Sequence, residues 1–242
     1  MRRLPQWKGV MIMRRALRPA FLATLPVMTG YLVLGFGFGL MLHEAGYDVL
    51  MALGMSGFIY AGSMQYVAIS LFADGASLAM AALTTLMVNA RHLFYGVSML
   101  DKYRGTGAAK PYLIFALTDE TYSLVCQEEL PVPQESRRAY YLLVSCLDHL
   151  WWVMGSVLGA LAGSLLTFST EGVDFALTAL FVTVLVEQWL TAEDRVPAII
   201  GGGASLICLL LFGSGDFLIP AMLLIAGMLI EYTDGRRGKR HE

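Results

Sequence analysis

The chain has 242 residues, of which 57% are hydrophobic and 15% charged, whereas about a quarter of the residues in a typical soluble domain are charged. Its formal net charge of −2 excludes the strongly basic surface of a typical nucleic-acid-binding protein. Three cysteines without paired spacing, Cys126, Cys146 and Cys208, argue against a disulfide framework, a metal site or a cofactor bound through metal. The composition instead predicts an all-α polytopic membrane protein in a lipid bilayer, with about 20 mainly apolar residues in each spanning helix.

Both ends of the chain are basic. Residues 1–19 contain six arginines and lysines, and the tail over residues 232–242 contains four more. The apolar run from Ala20 to Leu42 is longer than the core of a signal peptide, so an uncleaved first helix is predicted. Because Lys- and Arg-rich flanks stay in the cytoplasm, both termini are expected there.

Eight apolar segments follow one another within a single predicted transmembrane domain over residues 20–231. Seven are long, namely 20–42, 50–72, 77–100, 139–165, 174–190, 196–212 and 217–231, and one, 111–126, is shorter and carries two acids. Termini on the same side require an even number of spans, so about eight are predicted. The basic loop 101–110 would then lie outside, against the positive-inside rule. Seven spans, or a re-entrant segment, is the alternative that moves this loop inside.

A weak internal repeat is present. Gly35-Phe-Gly-Phe-Gly39, followed by Gly46-Tyr-Asp48, resembles Gly155-Ser-Val-Leu-Gly159, followed by Gly172-Val-Asp174. Many transporters consist of duplicated halves with the binding site between them. Two duplicated halves are therefore one interpretation, and chance similarity between glycine-rich helices is the other.

The third apolar segment carries Asn89, Arg91 and His92 near its centre. A cationic side chain at the middle of a membrane span costs at least about 2.5–3.5 kcal/mol, and such residues usually mark a substrate or ion path. On a continuous helix, Asn89 and His92 share a face, and Arg91 and Tyr95 share the adjoining one. The alternative is a structural ion pair with Asp119 or Glu120 that only fixes helix packing.

The second apolar segment contains Tyr60-Ala-Gly-Ser-Met-Gln-Tyr66. Gly62 and Ser63 are predicted to break this helix, and backbone groups freed by such breaks line cavities and hold the charged ends of amino acids in many transporters. The Gln65 amide can both donate and accept hydrogen bonds. Close packing of helices through small residues is the alternative.

Two further stretches carry titratable groups. In Thr118-Asp119-Glu120-Thr121 the adjacent acids cannot share one helical face, so one is expected to pair with Arg91 and the other to meet a proton or a substrate ammonium. Solvation at an interface is the alternative. Asp148-His149 is either a proton relay, since histidine titrates near neutral pH, or a core pair.

Gly54-Met-Ser-Gly57 matches the short pattern of intramembrane serine proteases. That chemistry needs a histidine base within hydrogen-bond reach of the serine, and His92 or His149 are the candidates. Four residues in a glycine-rich chain are weak support, and small-residue packing accounts for them. Enzymatic activity is therefore not expected.

Four stretches resemble the AzlC family in sequence, order and spacing, and the resemblance extends over about residues 15–230. They are Ala61-Gly-Ser-Met-Gln-Tyr-Val-Ala68, Asn89-Ala-Arg-His-Leu-Phe-Tyr-Gly96, Phe115-Ala-Leu-Thr-Asp-Glu-Thr121 and Asp148-His-Leu-Trp-Trp-Val-Met-Gly155. The resemblance implies a large subunit that exports leucine, isoleucine, valine and also methionine across the bacterial inner membrane. It further implies coupling to protons and a small hydrophobic partner subunit of the AzlD type.

The predicted transporter works by alternating access, and its site is a hypothesis with two groups of residues. The substrate-binding group is Gly62, Ser63, Gln65, Asn89, Arg91 and Tyr95. The group for proton coupling or ion pairing is His92, Asp119, Glu120, Asp148 and His149. Arg91 is expected to hold the substrate carboxylate. A membrane enzyme and a non-transporting scaffold that stabilises a partner are the rival classes.

Overall fold

The computed structural model describes most of the chain as helices. It covers residues 6–165, 182, 185–186, 189–190 and 194–238, with the backbone alone for 6–10, 91, 94, 214–216, 218–219, 222 and 233–238. All long regular elements in these residues are α-helices, which confirms the all-α class. The chain divides into two compact units, 1–176 and 177–242.

The first unit contains eight α-helices within the described residues. They are α1 (Gln6–Glu44), α2 (Val49–Phe58), α3 (Gly62–Ala73), α4 (Leu78–Val88), α5 (Arg91–Ser98), α6 (Lys110–Phe115), α7 (Asp119–Val125) and α8 (Arg137–Leu165). Short 3₁₀ turns precede α6 and α8. Helices α1 and α8 contain stretches long and apolar enough to cross a membrane.

Close backbone contact between α1 and α8 forms the centre of this unit. A Cβ atom on Gly39 would overlap the Ser156 carbonyl oxygen, and one on Gly159 would overlap that of Phe36. Glycines spaced four apart allow such approach. The two stretches predicted as repeats therefore pack against each other. The helices run parallel, because Gly163, late in α8, lies against His43 at the end of α1.

The two ends of the first unit differ in charge. At one end, Ala16 and Ala20 of α1 pack with Met99, Tyr103 and Tyr140. This basic end carries Arg14, Arg15, Arg18, Lys102, Arg104, Lys110, Arg137 and Arg138. The other end, here the acidic end, comprises residues 43–48 and 74–77, which include three acids and lack Lys and Arg.

Helices α2 and α3 form a hairpin that enters from the acidic end. The Ser56 carbonyl of α2 accepts a hydrogen bond from His149, half-way along α8, at 3.0 Å. Helix α3 then returns, since the Tyr66 hydroxyl donates to the Leu34 carbonyl of α1 and the Phe72 ring lies 5.7 Å from that of Tyr47. The segment 50–72 therefore folds back as two helices and does not form the single span predicted for it.

Backbone conformation explains where this first hairpin turns. Tyr60, between α2 and α3, has a left-handed φ of +44°, which costs free energy for a residue other than glycine. Helix α3 starts at Gly62, and a Cβ atom there would lie 3.0 Å from the Trp152 ring. The break predicted near Gly62 is confirmed, with its turn just before this glycine.

Helices α6 and α7 form a second hairpin, which enters from the basic end. The Tyr112 hydroxyl of α6 lies 3.2 Å from His149 Nδ1, and the turn at residues 116–118 reaches Tyr31 of α1. Helix α7 returns to the basic end, where Lys102 donates to the carbonyls of Cys126 and Gln127. The segment 111–126 thus has the re-entrant arrangement that was the alternative to a span.

Helices α4 and α5 connect the acidic end to the basic end, but they are not continuous. Asn89 is the C-cap of α4, and α5 starts at Arg91. Between them, two hydrogen bonds connect residues three positions apart, as in a 3₁₀ turn. They join His92 N–H to Asn89 O and Leu93 N–H to Ala90 O. The continuous helix predicted over 77–100 is therefore wrong. Its polar residues flank a break, and asparagine is a residue that favours turns.

The second unit contains α9 (Val196–Asp216) and α10 (Leu218–Gly238) within the described residues. Helix α9 is apolar and long enough to cross a membrane, and it kinks at Gly213 with a φ of +75°. Tyr232 donates to the Asp194 carboxylate at 2.7 Å. Most of the predicted segment 174–190, and the second Gly-x-Asp of the repeat, lie outside the described residues.

Gly39→Ala is expected to lower the free energy of unfolding by at least about 1–3 kcal/mol, because the new methyl group would overlap the α8 backbone. Gly30→Ala, in the same helix but facing open space, is the matched control and should leave stability unchanged or slightly raised. Thermal unfolding of the purified protein in detergent measures both. Equal midpoints for the two variants would show that the α1–α8 contact is not close.

Candidate functional site

The tips of the two hairpins meet beside α1 and α8, in a polar group called here the tip cluster, whose residues are buried except for the exposed Glu120. It consists of Tyr31, Tyr60, Thr118, Glu120, Thr121 and Asp148. The Tyr31 hydroxyl lies 2.7 Å from Thr118 Oγ1 and donates to Glu120 at 2.7 Å. Thr121 donates to Asp148 Oδ2 at 2.8 Å. These hydrogen bonds connect α1, the second tip and α8, and the first tip contributes Tyr60.

Two atoms of the tip cluster are buried without a hydrogen bond of ordinary geometry in the described part of the chain. They are Asp148 Oδ1 and the Tyr60 hydroxyl. The Asp148 side chain is 0% exposed and Tyr60 is 3% exposed. Buried polar atoms nearly always have partners, and an exception points to a bound group or a functional constraint. These two atoms therefore make the tip cluster the leading candidate for a binding site.

His149 holds the hairpins together. Its Nε2 donates to the Ser56 carbonyl at 3.0 Å, and its Nδ1 accepts from the Tyr112 hydroxyl at 3.2 Å. This pair of roles fits the neutral ring. The ring also stacks on Tyr60 at 4.3 Å. Asp148 and His149, predicted as one relay, thus have different hydrogen-bond partners.

Gln65 is fully buried and links three helices. Its amide donates to Ser56 Oγ at 3.2 Å, and its carbonyl oxygen accepts from Trp152 Nε1 at 2.9 Å. Both ends of the amide are therefore engaged within the protein. The Ser56 hydroxyl meets Gln65, while His149 meets the Ser56 carbonyl, so these contacts do not provide the serine–histidine hydrogen bond that a protease needs.

The first turn of α3, which contains Gly62 and Ser63, follows directly after the first tip. Its N-cap, Ala61, has no side chain able to cap the helix. The first N–H groups of a helix lack partners within it and carry partial positive charge, so they favour anionic groups. At the other tip, Thr118 caps α7 and places Asp119 and Glu120 in its first turn.

The residues around the break between α4 and α5 form a separate group. His92 Nδ1 lies 3.1 Å from the Asn89 carbonyl, and its ring meets Tyr95 at 5.9 Å. Tyr95 stacks on Tyr122 of α7 at 4.7 Å. Among described side chains, this group is thus connected to the second hairpin through α7. The side chain of Arg91, which was predicted to bind the substrate, is not among the side chains that the structure describes.

The tip cluster presents chemical groups that can bind a charged small molecule. Asp148 Oδ1 and the Tyr60 hydroxyl are both buried without a hydrogen bond of ordinary geometry, and Tyr60 lies at the tip just before the N-terminus of α3. Carboxylates accept hydrogen bonds from ammonium groups, and helix N-termini attract carboxylates. Groups of three or more potential metal ligands are absent from the described residues.

Comparison with known proteins decides the family. The sequence profile described as "AzlC protein" matches residues 26–166, which include both hairpins and α8. This chain belongs to the AzlC family. The named "Branched-chain amino acid transport protein AzlC" of Bacillus subtilis is 44% identical over 88% of this chain and 84% of its own length.

Other members of the AzlC family are named as membrane proteins. An "Uncharacterized membrane protein" of Helicobacter pylori is 40% identical over 87% of this chain and 92% of its own length. "Inner membrane protein YgaZ" of Escherichia coli is 30% identical over 69% of this chain and 70% of its own length. Together with the long apolar helices, these names confirm the prediction of a membrane protein. No solved structure matches.

Four tip-cluster residues of this AzlC protein were not among the predicted site residues. They are Tyr31, Tyr60, Thr118 and Thr121. Tyr60, Thr118 and Thr121 lie inside stretches that the sequence singled out for glycines or acids, so hydroxyl groups beside those residues were the signal. Tyr31 lies in a plain apolar run, and only the fold brings it to the tips.

Thr121→Val keeps the side-chain shape but removes the hydrogen bond to buried Asp148, so it should lower the free energy of unfolding by about 1–3 kcal/mol. Asp148→Asn in the same protein should recover part of the loss, since a neutral amide is less costly to bury than an unpaired carboxylate. Thermal unfolding of the single and double variants provides the measurement. Additive effects would show that Thr121 and Asp148 do not interact.

Proposed function

We propose that this chain exports leucine, isoleucine, valine and also methionine across the bacterial inner membrane, driven by the proton gradient. A small hydrophobic AzlD-type subunit works with it. The name of the Bacillus subtilis relative, which covers most of both chains, supports the transport of branched-chain amino acids. The observation that carries the proposal is the buried carboxylate of Asp148, with one free oxygen, between two helix hairpins that enter from opposite ends.

In this proposal the basic end lies in the cytoplasm, following the positive-inside rule. Helices α1, α4–α5 and α8 cross the membrane, whereas α2–α3 enters from outside and α6–α7 from the cytoplasm. The basic loop 101–110 then lies inside. If the apolar segments 174–190, 196–212 and 217–231 each cross as well, the single transmembrane domain over 20–231 contains six crossings and two hairpins. Because six is an even number, both termini are then cytoplasmic. This replaces the eight crossings expected from hydropathy.

The substrate binds at the tips. Its ammonium group meets Asp148 Oδ1 and the Tyr60 hydroxyl, the two buried atoms without a hydrogen bond of ordinary geometry. Its carboxylate meets the N–H groups of Gly62 and Ser63, where discontinuous helices of other transporters bind the same group. Arg91 is the second candidate for the carboxylate. A binding pocket that recognises apolar bulk discriminates by only about 1–3 kcal/mol per methylene, so selectivity among branched side chains is broad.

The remaining predicted residues support this site. Gln65 and His149 position the hairpins, because their polar groups are engaged between helices. Glu120, bonded to Tyr31, and Asp119 modulate the charge beside Asp148. Asn89, His92 and Tyr95 surround the break in the third segment and move with α7. Transport then alternates, with the outer hairpin opening the site to the outside and the inner hairpin opening it to the cytoplasm.

A parallel duplication supports such alternation. Helices α1 and α8 carry the related glycine stretches, run in the same direction and contact each other directly. They are the equivalent first helices of two duplicated halves in this proposal. A site between equivalent elements is the common arrangement in transporters built from repeats.

Proteoliposomes that contain the chain and its small subunit should export labelled leucine when a pH gradient is imposed. Asp148→Asn should slow this export about 10–100-fold, the equivalent of a lost hydrogen bond to a charged group. Cys146→Ser, at an exposed position of the same helix, is the matched control. Leucine flux that is equal with and without the chain would contradict transport and favour the scaffold or enzyme class.

Exchange of labelled for unlabelled leucine, without a gradient, separates the roles of two charged residues. If Asp148 carries only the proton, Asp148→Asn keeps exchange and loses gradient-driven export; if it holds the ammonium, both are lost. Arg91→Gln should lose both if the guanidinium binds the carboxylate. Unchanged export by correctly inserted Arg91→Gln would remove this residue from the site.

Cysteine labelling tests the orientation. In a protein whose native cysteines are replaced by alanine, a membrane-impermeant maleimide should label Asp74→Cys in intact cells and Arg104→Cys only in everted vesicles. The reason is that the two hairpins place loop 74–77 outside and loop 101–110 inside. Eight crossings predict the reverse pattern, so labelling of Arg104→Cys from outside would contradict the hairpin topology.

A further inference from the structure

A cavity of about 420 Å³ lies at the basic end of the first unit, away from the tip cluster. Loop 101–106 forms one wall, and the segment that leads into α8 forms the other. Four cationic side chains line it, against the single carboxylate of Asp101. The cations are Lys102, Arg104, Arg137 and Arg138.

The hydrogen bonds of these cations go mostly to neutral groups, so carboxylates do not neutralise their positive charge. Lys102 donates to the carbonyls of Cys126 and Gln127, and Arg137 donates to that of Glu128 at 3.4 Å. Arg137 Nε is buried and has no hydrogen bond within the described residues. Within the described residues, Arg104 alone of these four forms an ion pair, with Asp101 at 3.2 Å, and both side chains are more than four-fifths exposed, where such pairs contribute little to stability.

Arg138 completes the wall beside a glycine. Gly107 has a left-handed φ of +64°, and a Cβ atom there would lie 3.2 Å from the Arg138 guanidinium. Any larger residue would be strained in this backbone conformation and would crowd the guanidinium. Concave surfaces lined by charge of one sign concentrate the electric field and attract counter-ions. Glu128, Glu129 and Glu135 lie nearby in the chain but do not line the cavity.

We propose that this cavity binds a phosphate group, supplied by the headgroup of an anionic phospholipid. Guanidinium groups match the planar, bidentate geometry of phosphate contacts. A cavity with excess positive charge favours a headgroup of net negative charge over a zwitterionic one, in which a cation accompanies the phosphate. Leu100, 54% exposed beside the cavity-lining Asp101, offers an apolar surface for an acyl chain. Placement in the cytoplasmic leaflet, where basic pockets bind anionic lipids, rests on the orientation proposed above; phosphate binding does not.

The cavity is connected to the second hairpin. Lys102 lies in the cavity wall and also ties loop 101–106 to the end of α7. A bound phosphate would bridge this loop to the arginines at the start of α8. Lipid occupancy would therefore stabilise the base of the α6–α7 hairpin, and with it the inner side of the tip cluster.

Thermal unfolding of the full chain in detergent tests the proposal. Added phosphatidylglycerol should raise the unfolding midpoint of the wild-type protein, while phosphatidylcholine should not. The double variant R104Q/R138Q, at two exposed positions, should lose most of this shift. R14Q/R15Q is the matched control, because it removes the same charge from exposed positions of α1 outside the cavity, and it should keep the shift.

Inorganic phosphate, added without lipid, distinguishes the source of the phosphate group. A shift as large as that from phosphatidylglycerol, and lost in R104Q/R138Q, supports the same site with a soluble ligand. A much smaller shift supports the lipid. Equal shifts in the two double variants, or equal effects of phosphatidylglycerol and phosphatidylcholine, would overturn the proposal. R137K, which keeps the charge but loses the planar fork, should weaken the shift without lowering the unliganded midpoint.

Discussion

The backbone contact between α1 and α8 is the constraint on which the first unit depends. Because Gly39 and Gly159 lack side chains, the two helices approach until backbone meets backbone. Lipid chains are as apolar as leucine, so close van der Waals packing rather than hydrophobic burial stabilises such contacts in a membrane. Both hairpins pack against this pair, and Tyr31 and Asp148, one on each helix, lie where the tips arrive.

Three of the apolar segments in this unit are interrupted, and each interruption lies next to polar side chains. The first tip carries Tyr60, the second carries Thr118, and the break between α4 and α5 carries Asn89. Backbone that is not helical can lie at membrane depth only where protein or a cavity surrounds it. The breaks therefore account for the clusters of polar residues within otherwise apolar segments, which a continuous helix could not accommodate cheaply.

Sequence reasoning recovered local features better than the path of the chain. The helix class follows from composition, and the break near Gly62 follows from glycine and serine beside a tyrosine. Hydropathy could not show whether segment 50–72 crosses the bilayer or forms a hairpin. The segment contains enough apolar residues to span a bilayer, and its hydropathy is the same for either path. The misplaced charge of loop 101–110 was the informative signal. Tyr31 carried no local signal, since its role arises from contacts with residues about 90 positions away.

The meeting of two hairpins at one level has an electrical consequence. In the proposed orientation each hairpin enters the membrane from one side only, so water on either side could approach the tips more closely than the full thickness of a bilayer allows. The membrane potential would then fall across a thin layer around Tyr60 and Asp148. A unit charge that moves through the whole potential changes in free energy by about 2.3 kcal/mol per 100 mV. In the proposed transporter, a proton that moves a short distance at Asp148 would cross much of the potential and so change in free energy by much of this amount.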